Sequence, residues 1–217
     1  MSTALVPVPP AVIERFQRNG RLTVRQRKRW LELLFSFEMK NAYDVFDADQ
    51  MPVFRVEERG QGFLSFMKRA FFGPMRWFTS DVKDLAAQGT LLTIDRPFRF
   101  YFHTIQVTGP SGEPLGSITR EWSWIRRIYT VRDAQGQPVA TLFGPFFRPW
   151  TFEIRLHGSE QPSGTIQKRW SGMLKEVFTD ADNFGIDLEA ITDPALRALL
   201  FAATVLIDVV HFERAKR

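Results

Sequence analysis

Asp193-Pro194-Ala195-Leu196-Arg197-Ala198-Leu199-Leu200-Phe201-Ala202-Ala203-Thr204-Val205-Leu206-Ile207-Asp208 is the stretch on which the fold turns. Asp193 is a good N-cap, because its short carboxylate accepts from the unpaired amides of a first helical turn. Pro194 suits the first helical position, where a missing N–H costs nothing. A helix is predicted from there to about Phe212. Between Ala198 and Ile207 it is apolar on every face, with Thr204 its one polar side chain, so protein or lipid must surround it. Length decides between the two. The ten residues between Arg197 and Asp208 rise about 15 Å at ~1.5 Å each, whereas a bilayer core of ~30 Å asks for about twenty. Asp208 in hydrocarbon would cost on the order of 3 kcal/mol. The helix is expected inside its own protein.

What surrounds it is β structure. From about residue 34 to 190, short apolar alternations such as Tyr43-Asp44-Val45-Phe46, Leu91-Leu92-Thr93-Ile94 and Thr151-Phe152-Glu153-Ile154 are separated by Gly, Pro and Asp turns. Two echoes organise them. Gly116-Ser117-Ile118-Thr119-Arg120-Glu121-Trp122-Ser123 returns 48 residues later as Gly164-Thr165-Ile166-Gln167-Lys168-Arg169-Trp170-Ser171, and the likeness continues after a one-residue slip. Asp47-Ala48-Asp49-Gln50-Met51-Pro52-Val53 is matched by Asp133-Ala134-Gln135-Gly136-Gln137-Pro138-Val139. In each, Asp supplies turn geometry and Pro opens the returning strand. Roughly ten to twelve strand candidates, with a repeated multistranded unit, predict a barrel or sandwich. A barrel threaded by the apolar helix satisfies both halves of the chain. Trp122 and Trp170, at equivalent places in the repeat, are expected to pack and seal the barrel.

Ahead of residue 34 the character changes. Val12 to Phe35 reads as one helix, broken or bent near Asn19-Gly20. The first thirty residues hold Arg15, Arg18, Arg21, Arg25, Arg27, Lys28 and Arg29 against Glu14 alone, a local charge of +6 where the whole chain carries +5. The excess therefore belongs to an arm, residues 1–33, partly helical or flexible, ahead of a near-neutral barrel domain over 34–217. Such an arm either is solvated or seeks anionic surfaces, phospholipid headgroups first and nucleic acid second. No secretory signal is visible in the Pro-rich first ten residues, and Pro7, Pro9 and Pro10 oppose an early transit helix, so a cytosolic location is expected. With no cysteine in the chain, disulfides, thiolate zinc and a Cys nucleophile are excluded. His103, His157 and His211 are far apart, unlike a His-rich metal site.

The stretch Gly164-Thr165-Ile166 … Trp170-Ser171-Gly172 … Phe178-Thr179-Asp180-Ala181-Asp182-Asn183-Phe184-Gly185-Ile186, followed by Leu206-Ile207-Asp208 and Phe212-Glu213, resembles the C-terminal signature of the phospholipid scramblases. A weaker likeness runs back to about Leu34 through Phe37-Glu38, Asn41-Ala42-Tyr43, Gly73-Pro74 and Asp95-Arg96-Pro97. The resemblance implies a tubby-like fold, mainly β, in which a closed antiparallel barrel of about twelve strands encloses a hydrophobic C-terminal helix. It also implies calcium-stimulated, ATP-independent movement of phospholipid between leaflets. Tubby-like relatives that bind phosphoinositides imply the alternative of a soluble lipid-binding scaffold without transport.

In the family, calcium is assigned to an EF-hand-like loop, which here would begin at Asp180. Oxygen ligands belong at positions 1, 3 and 5 and an acid at position 12, but Phe184 stands fifth and Ile191 twelfth. Asp180 and Asp182 carry over as ligands, so a weak calcium site is expected there. The competing reading is a plain acidic turn, since Asp47-Ala48-Asp49 repeats the tripeptide where no calcium is implied.

Membrane contact has clearer physics. Phe63, Phe66, Lys68, Arg69, Phe71, Phe72, Arg76 and Trp77 interleave aromatics with cations, as do Phe147, Arg148 and Trp150 near Phe146. Aromatic rings favour the headgroup level, and each cation adds about 1 kcal/mol near anionic lipid. The eukaryotic scramblases that this chain resembles carry cysteine clusters near Phe71-Phe72, Phe98–Phe102 and Phe146–Trp150. The aromatics are expected to replace the acyl chains that a cysteine-free protein lacks. For Phe98, Phe100 and Phe102, at period two, the barrel core is the better expectation. Arg120, Arg126, Arg127, Lys168 and Arg169 form either a basic groove for phosphorylated headgroups or a solvated wall.

No Walker loop, Gly-x-Gly-x-x-Gly, Gly-x-Ser-x-Gly or His-Glu-x-x-His occurs. An enzyme is not expected. The expectation is a scramblase-like barrel, peripherally associated with the cytosolic face of anionic phospholipid membranes.

Overall fold

The computed structural model describes residues 8–26, 42–59, 78–97, 103–169 and 183–208. Alternation at period two becomes strands: β1 (Arg21–Gln26), β2 (Ala42–Phe46), β3 (Pro52–Glu58), β4 (Phe78–Asp84), β5 (Thr90–Arg96) and β6 (Thr104–Thr108). They continue as β7 (Pro114–Arg120), β8 (Arg127–Asp133), β9 (Pro138–Gly144), β10 (Thr151–Leu156), β11 (Pro162–Arg169) and β12 (Asn183–Asp187). Each lies antiparallel to its chain neighbours, and β1 pairs both β12 and β2, so the twelve strands close into a barrel. The expected fold is the observed one.

Each strand sends alternate residues inward. On β3, Phe54 and Val56 are fully buried while Arg55 and Glu57 stand on the wall. The wall is mostly polar, with Asp44, Arg55, Asp81, Thr93, Gln106, Thr130 and Glu153 among its residues, and its Phe46 and Phe143 rings lie under arginine side chains. Arg55 bonds Asp44 at 3.0 Å and Lys83 bonds Glu57 at 2.7 Å across neighbouring strands. A barrel that spans lipid shows the opposite face, apolar outward, because a cation at mid-bilayer costs about 2–4 kcal/mol. The charged and hydroxyl side chains of the described wall suit contact with water.

The interior is filled by α2 (Pro194–Ile207), with every residue from Leu196 to Ile207 buried. Asp193 Oδ1 accepts from the Ala195 amide at 2.9 Å, and Pro194 opens the first turn as expected. Thr204, the lone polar residue of the apolar run, donates to the Leu200 carbonyl at 3.3 Å, so burial leaves no unmet group there. The buried Leu, Ile and Phe side chains stabilise by roughly 1.5–3 kcal/mol each relative to exposure. Among the described residues no helix is long and apolar enough to cross a membrane.

A second helix, α1 (Pro10–Arg18), closes one end of the barrel. Pro10 sits in its first turn, and Val12 and Phe16 are fully buried, with the Phe16 ring stacked at 5.3 Å on Phe54 and 5.8 Å from Phe201. Two expectations are corrected here. The helix read over Val12–Phe35 breaks at Asn19-Gly20, one of the two expectations there, but it does not resume after the break: α1 ends at Arg18 and the chain from Arg21 is β1, whose Leu22 and Val24 point inward. The boundary expected between 33 and 34 accordingly does not divide the structure, since α1 and β1 are parts of the barrel domain. A six-residue stretch beside a helix carries little strand signal of its own. Pairing with β12, more than 150 residues away, supplies the missing preference.

The two ends of the barrel differ. At the end covered by α1, tight turns join β2–β3, β4–β5, β6–β7, β8–β9 and β10–β11, and β12 leads into α2. The second sequence echo proves to be one turn used twice. Asp47 Oδ1 accepts from Asp49 and Met51 amides at 3.0 and 2.9 Å, and Asp133 Oδ1 from Gln135 and Gln137 at 2.9 and 2.8 Å. The left-handed position falls on Gln50 in one and Gly136 in the other. The first echo marks close approach: a Cβ at Gly116 would strike the Arg132 carbonyl, and one at Gly164 the Asp187 carbonyl.

Candidate functional site

The opposite end of the barrel is built from longer connections. Those described in full are 121–126, between β7 and β8, and 145–150, between β9 and β10, which flank the same strand pair. Their tips are apolar and open to solvent. Trp122 is 69%, Trp124 86%, Ile125 68%, Phe146 64% and Phe147 92% exposed, with Trp150 beside them. Ile13 and Met51 aside, these are the large apolar side chains exposed among the described residues. Trp122 and Trp124 meet edge to face at 5.0 Å, and Phe146 and Phe147 do the same at 5.3 Å.

Backbone and guanidinium bonds hold this rim in place. The Glu121 amide donates to Ile128 O at 2.8 Å, and the Arg126 amide to Ser123 Oγ at 3.1 Å, shaping the first connection. In the second, Arg148 donates to Pro145 O at 3.2 Å and Thr151 to Arg148 O at 3.1 Å. Arg127 ties one to the other: its guanidinium donates to the carbonyls of Pro149, Pro145 and Arg148 and lies 4.9 Å from the Phe152 ring centroid. Desolvation lowers its pKa from the ordinary value; the Arg120 charge lowers it too, and Tyr129 opposes both. Gly144 makes room, since a Cβ there would press on the Arg127 side chain and the Phe152 ring at 3.1 Å. Arg126 and Arg148 stand exposed among the aromatics.

Behind the rim the barrel interior turns polar. Arg96 contacts His103, both buried, and Lys168 points inward with its Nζ 5.8 Å from the ring centroids of Trp150 and Phe184. The Tyr43 hydroxyl donates to Asp208 Oδ2 at 2.6 Å where α2 reaches this end. Burial pushes the Tyr129 phenol well above its ordinary range, against the opposing charges of Arg120, Arg127 and Arg96. Cationic side chains thus line the mouth beside the described aromatics.

Phe147, Arg148 and Trp150 stand together on one connection of this rim. Phe63, Phe66, Lys68, Arg69, Phe71, Phe72, Arg76 and Trp77 lie outside the described residues, as do Asp180, Asp182, Arg27, Lys28, Arg29, Trp170 and Phe98–Phe102. The strand ends that bracket them share a location. Gln26, Glu58, Arg96 and Arg169 all end strands at the rim, and Ala42, Phe78, Thr104 and Asn183 begin them there.

The described part of the arm behaves differently. Arg15 pairs with Asp84, Arg18 with Glu14 at 3.1 Å, and Arg21 with Glu189 at 2.7 Å, all at the end closed by α1. Arg25 bonds Gln50 and covers the Phe46 ring at 4.4 Å.

Trp122 is a correction. Expected as packing, it is mostly exposed, because β7 stops at Arg120 and the indole falls beyond the sheet. Trp124 and Ile125 were missed as site residues for the same reason: Trp-Ser-Trp alternates like a strand. The one-residue slip in the echo was the available signal, since a length change between related strands falls in a connection.

Among the described residues no group of three or more His, Cys, Asp or Glu side chains could hold a metal ion.

A closed antiparallel barrel filled by its own apolar helix, with an aromatic and cationic rim at one end, defines the class of protein. The Scramblase family model matches residues 1–214. Human phospholipid scramblase 2 is 30% identical over 95% of this chain and 72% of its own length, and mouse phospholipid scramblase 1 is 30% identical over 98% and 69%. Human phospholipid scramblase family member 5 is 27% identical over 97% of this chain and 80% of its own. The chain belongs to the scramblase family. An X-ray structure of a protein from Arabidopsis thaliana shares the fold at a TM-score of 0.50 and 12% identity, covering 91% of this chain and 97% of that one.

Proposed function

We propose that this chain is a scramblase-like protein that binds phospholipid at the cytosolic surface of anionic membranes and promotes its passage between leaflets. The observation that carries the reading is the enclosure of α2: with the apolar helix inside a polar wall, lipid is met at the barrel's rim rather than by spanning. Family membership and the printed names of the relatives supply the substrate class, phospholipid. No covalent step is invoked, because moving a polar headgroup through hydrocarbon needs only a lower barrier.

The membrane contacts assigned are Phe147, Arg148 and Trp150 together with the aromatics and cations of 63–77. The chain passes from β1 into Arg27-Lys28-Arg29 at the same end, which suits these cations to anionic headgroups. Calcium is assigned to Asp180 and Asp182, on the stretch between β11 and β12, as a weak stimulus. Nucleic acid is the lesser partner for the basic arm.

A second reading rests on the same helix. Since no described helix crosses a membrane, a lipid- or phosphoinositide-binding scaffold without transport accounts equally for the rim. Reconstitution decides between them. Fluorescent lipid should exchange between leaflets of proteoliposomes, faster with millimolar calcium, and the Asp180→Asn/Asp182→Asn variant should lose the calcium response. Vesicle binding without exchange would favour the scaffold, and no vesicle binding would end both. DNA competing with anionic vesicles for the arm, but not for the aromatics, would fit the lesser partner.

A further inference from the structure

Among the described residues the connections at the two ends of the barrel differ in charge. The connections at the end closed by α1 carry Asp47, Asp49, Glu113, Glu160, Glu189 and Asp193 and no lysine or arginine. The strand ends there add Arg21 and Arg132 but also Asp84, Asp133 and Asp187, and Arg15, Arg18 and Arg21 pair with Asp84, Glu14 and Glu189. At the other end the two fully described connections and the strand ends beside them carry Arg120, Arg126, Arg127 and Arg148 against Glu121. The exposed indoles and phenyl rings rise from that same basic end. Two independent features, charge and apolar surface, therefore point one way.

We propose that the protein docks end-on, with Trp122, Trp124, Ile125, Phe146 and Phe147 seated at the headgroup level of an anionic bilayer and the acidic turns held away from it. This rests on the membrane reading above and adds to it a site, an orientation and a lipid charge. Trp124 and Phe147 are the deepest anchors, being the most exposed, at 86% and 92%. Indole and phenyl rings are at home in that interfacial layer, where their edges meet carbonyls and water. Arg126 and Arg148 flank the anchors and meet lipid phosphates. Arg127 spends its donors on the carbonyls of 145–149 and keeps the two tips in register.

The absence of native cysteine makes the test direct. Trp124→Cys, Phe147→Cys and, at the far end, Met51→Cys are each labelled with an environment-sensitive fluorophore in the full chain. Vesicles of phosphatidylcholine, with or without phosphatidylserine, are then added. Labels at 124 and 147 should brighten and shift to the blue with phosphatidylserine vesicles and be quenched by brominated acyl chains, while the label at 51 stays unchanged. Unlabelled Trp124→Ser/Phe147→Ser should lose about tenfold or more in vesicle affinity with its melting temperature unchanged. Arg126→Gln and Arg148→Gln should each lose about fivefold, for phosphatidylserine vesicles alone.

Vesicle binding with silent labels at 124 and 147 would overturn the docking site while leaving the membrane reading standing. A response at 51 equal to that at 147 would overturn the orientation. A concentration-dependent response at 124 or 147 without vesicles would make the rim an interface between copies of this chain. Absence of binding to every vesicle would remove both proposals.

Discussion

The Tyr43 hydroxyl, on the second residue of β2, donates a 2.6 Å hydrogen bond to the Asp208 carboxylate at the end of α2. Both residues are 2% exposed, so the bond fastens the helix to the wall at the rim in a setting without bulk water. Tyr43→Phe should destabilise the fold by about 1–3 kcal/mol, the usual cost of removing a donor from a buried acceptor. Urea titration of Tyr43→Phe, Asp208→Asn and the double variant checks this: the double should cost less than the two singles together.

At the opposite end, Arg197 performs the matching task for α1. Its guanidinium donates to Ile191 O at 2.5 Å, to Phe16 O at 2.9 Å and to Gln17 O at 3.0 Å. Arg197→Met keeps most of the stem but leaves those carbonyls short of a donor, at a cost of roughly 2–4 kcal/mol. Limited proteolysis should then cut near α1 before the barrel opens, and equal resistance in both proteins would contradict the latch.

The cation that matters for rim shape is Arg127. Arg127→Ala should leave the barrel folded and raise amide exchange over 146–151, since the carbonyls of Pro145, Arg148 and Pro149 lose a common donor. Vesicle affinity should fall several-fold with it. Gly144→Ala should act in the same direction by displacing the Arg127 side chain.

Alkaline pH tests Tyr129. Burial raises its pKa above the ordinary 10.0, so the folded state keeps its proton where the unfolded state loses one. The stabilisation is fully present below that ordinary value and is lost as pH climbs toward the raised one. In that window stability should decline by about 1.4 kcal/mol per pH unit from this group. Tyr129→Phe should flatten the decline, as read from urea midpoints at about pH 9 and about pH 11.

Much of this architecture was legible in residues 193–208 and in the echoes. A run apolar on all sides and too short for a bilayer had to be enclosed, and the Asp-turn echo counted hairpins. What stayed hidden has a physical cause in each case. Arg21–Gln26 became a strand because β12 and β2 offered it edges, which no local pattern announces. Trp122 and Trp124 alternate like wall residues, and only the end of β7 at Arg120 frees them. The aromatic series of 63–77 and the Asp180/Asp182 pair lie outside the described residues, and the calcium assignment stands as a proposal.

The central claim is that α2 remains inside the barrel while the protein sits on lipid. Ala203→Cys, in a chain with no other thiol, places a reporter at the middle of that helix, at 0% exposure. Maleimide should fail to modify it in buffer and on phosphatidylserine vesicles alike, and should succeed once urea unfolds the chain. Rapid modification of the native protein, or quenching of a label there by brominated lipid, would contradict the account.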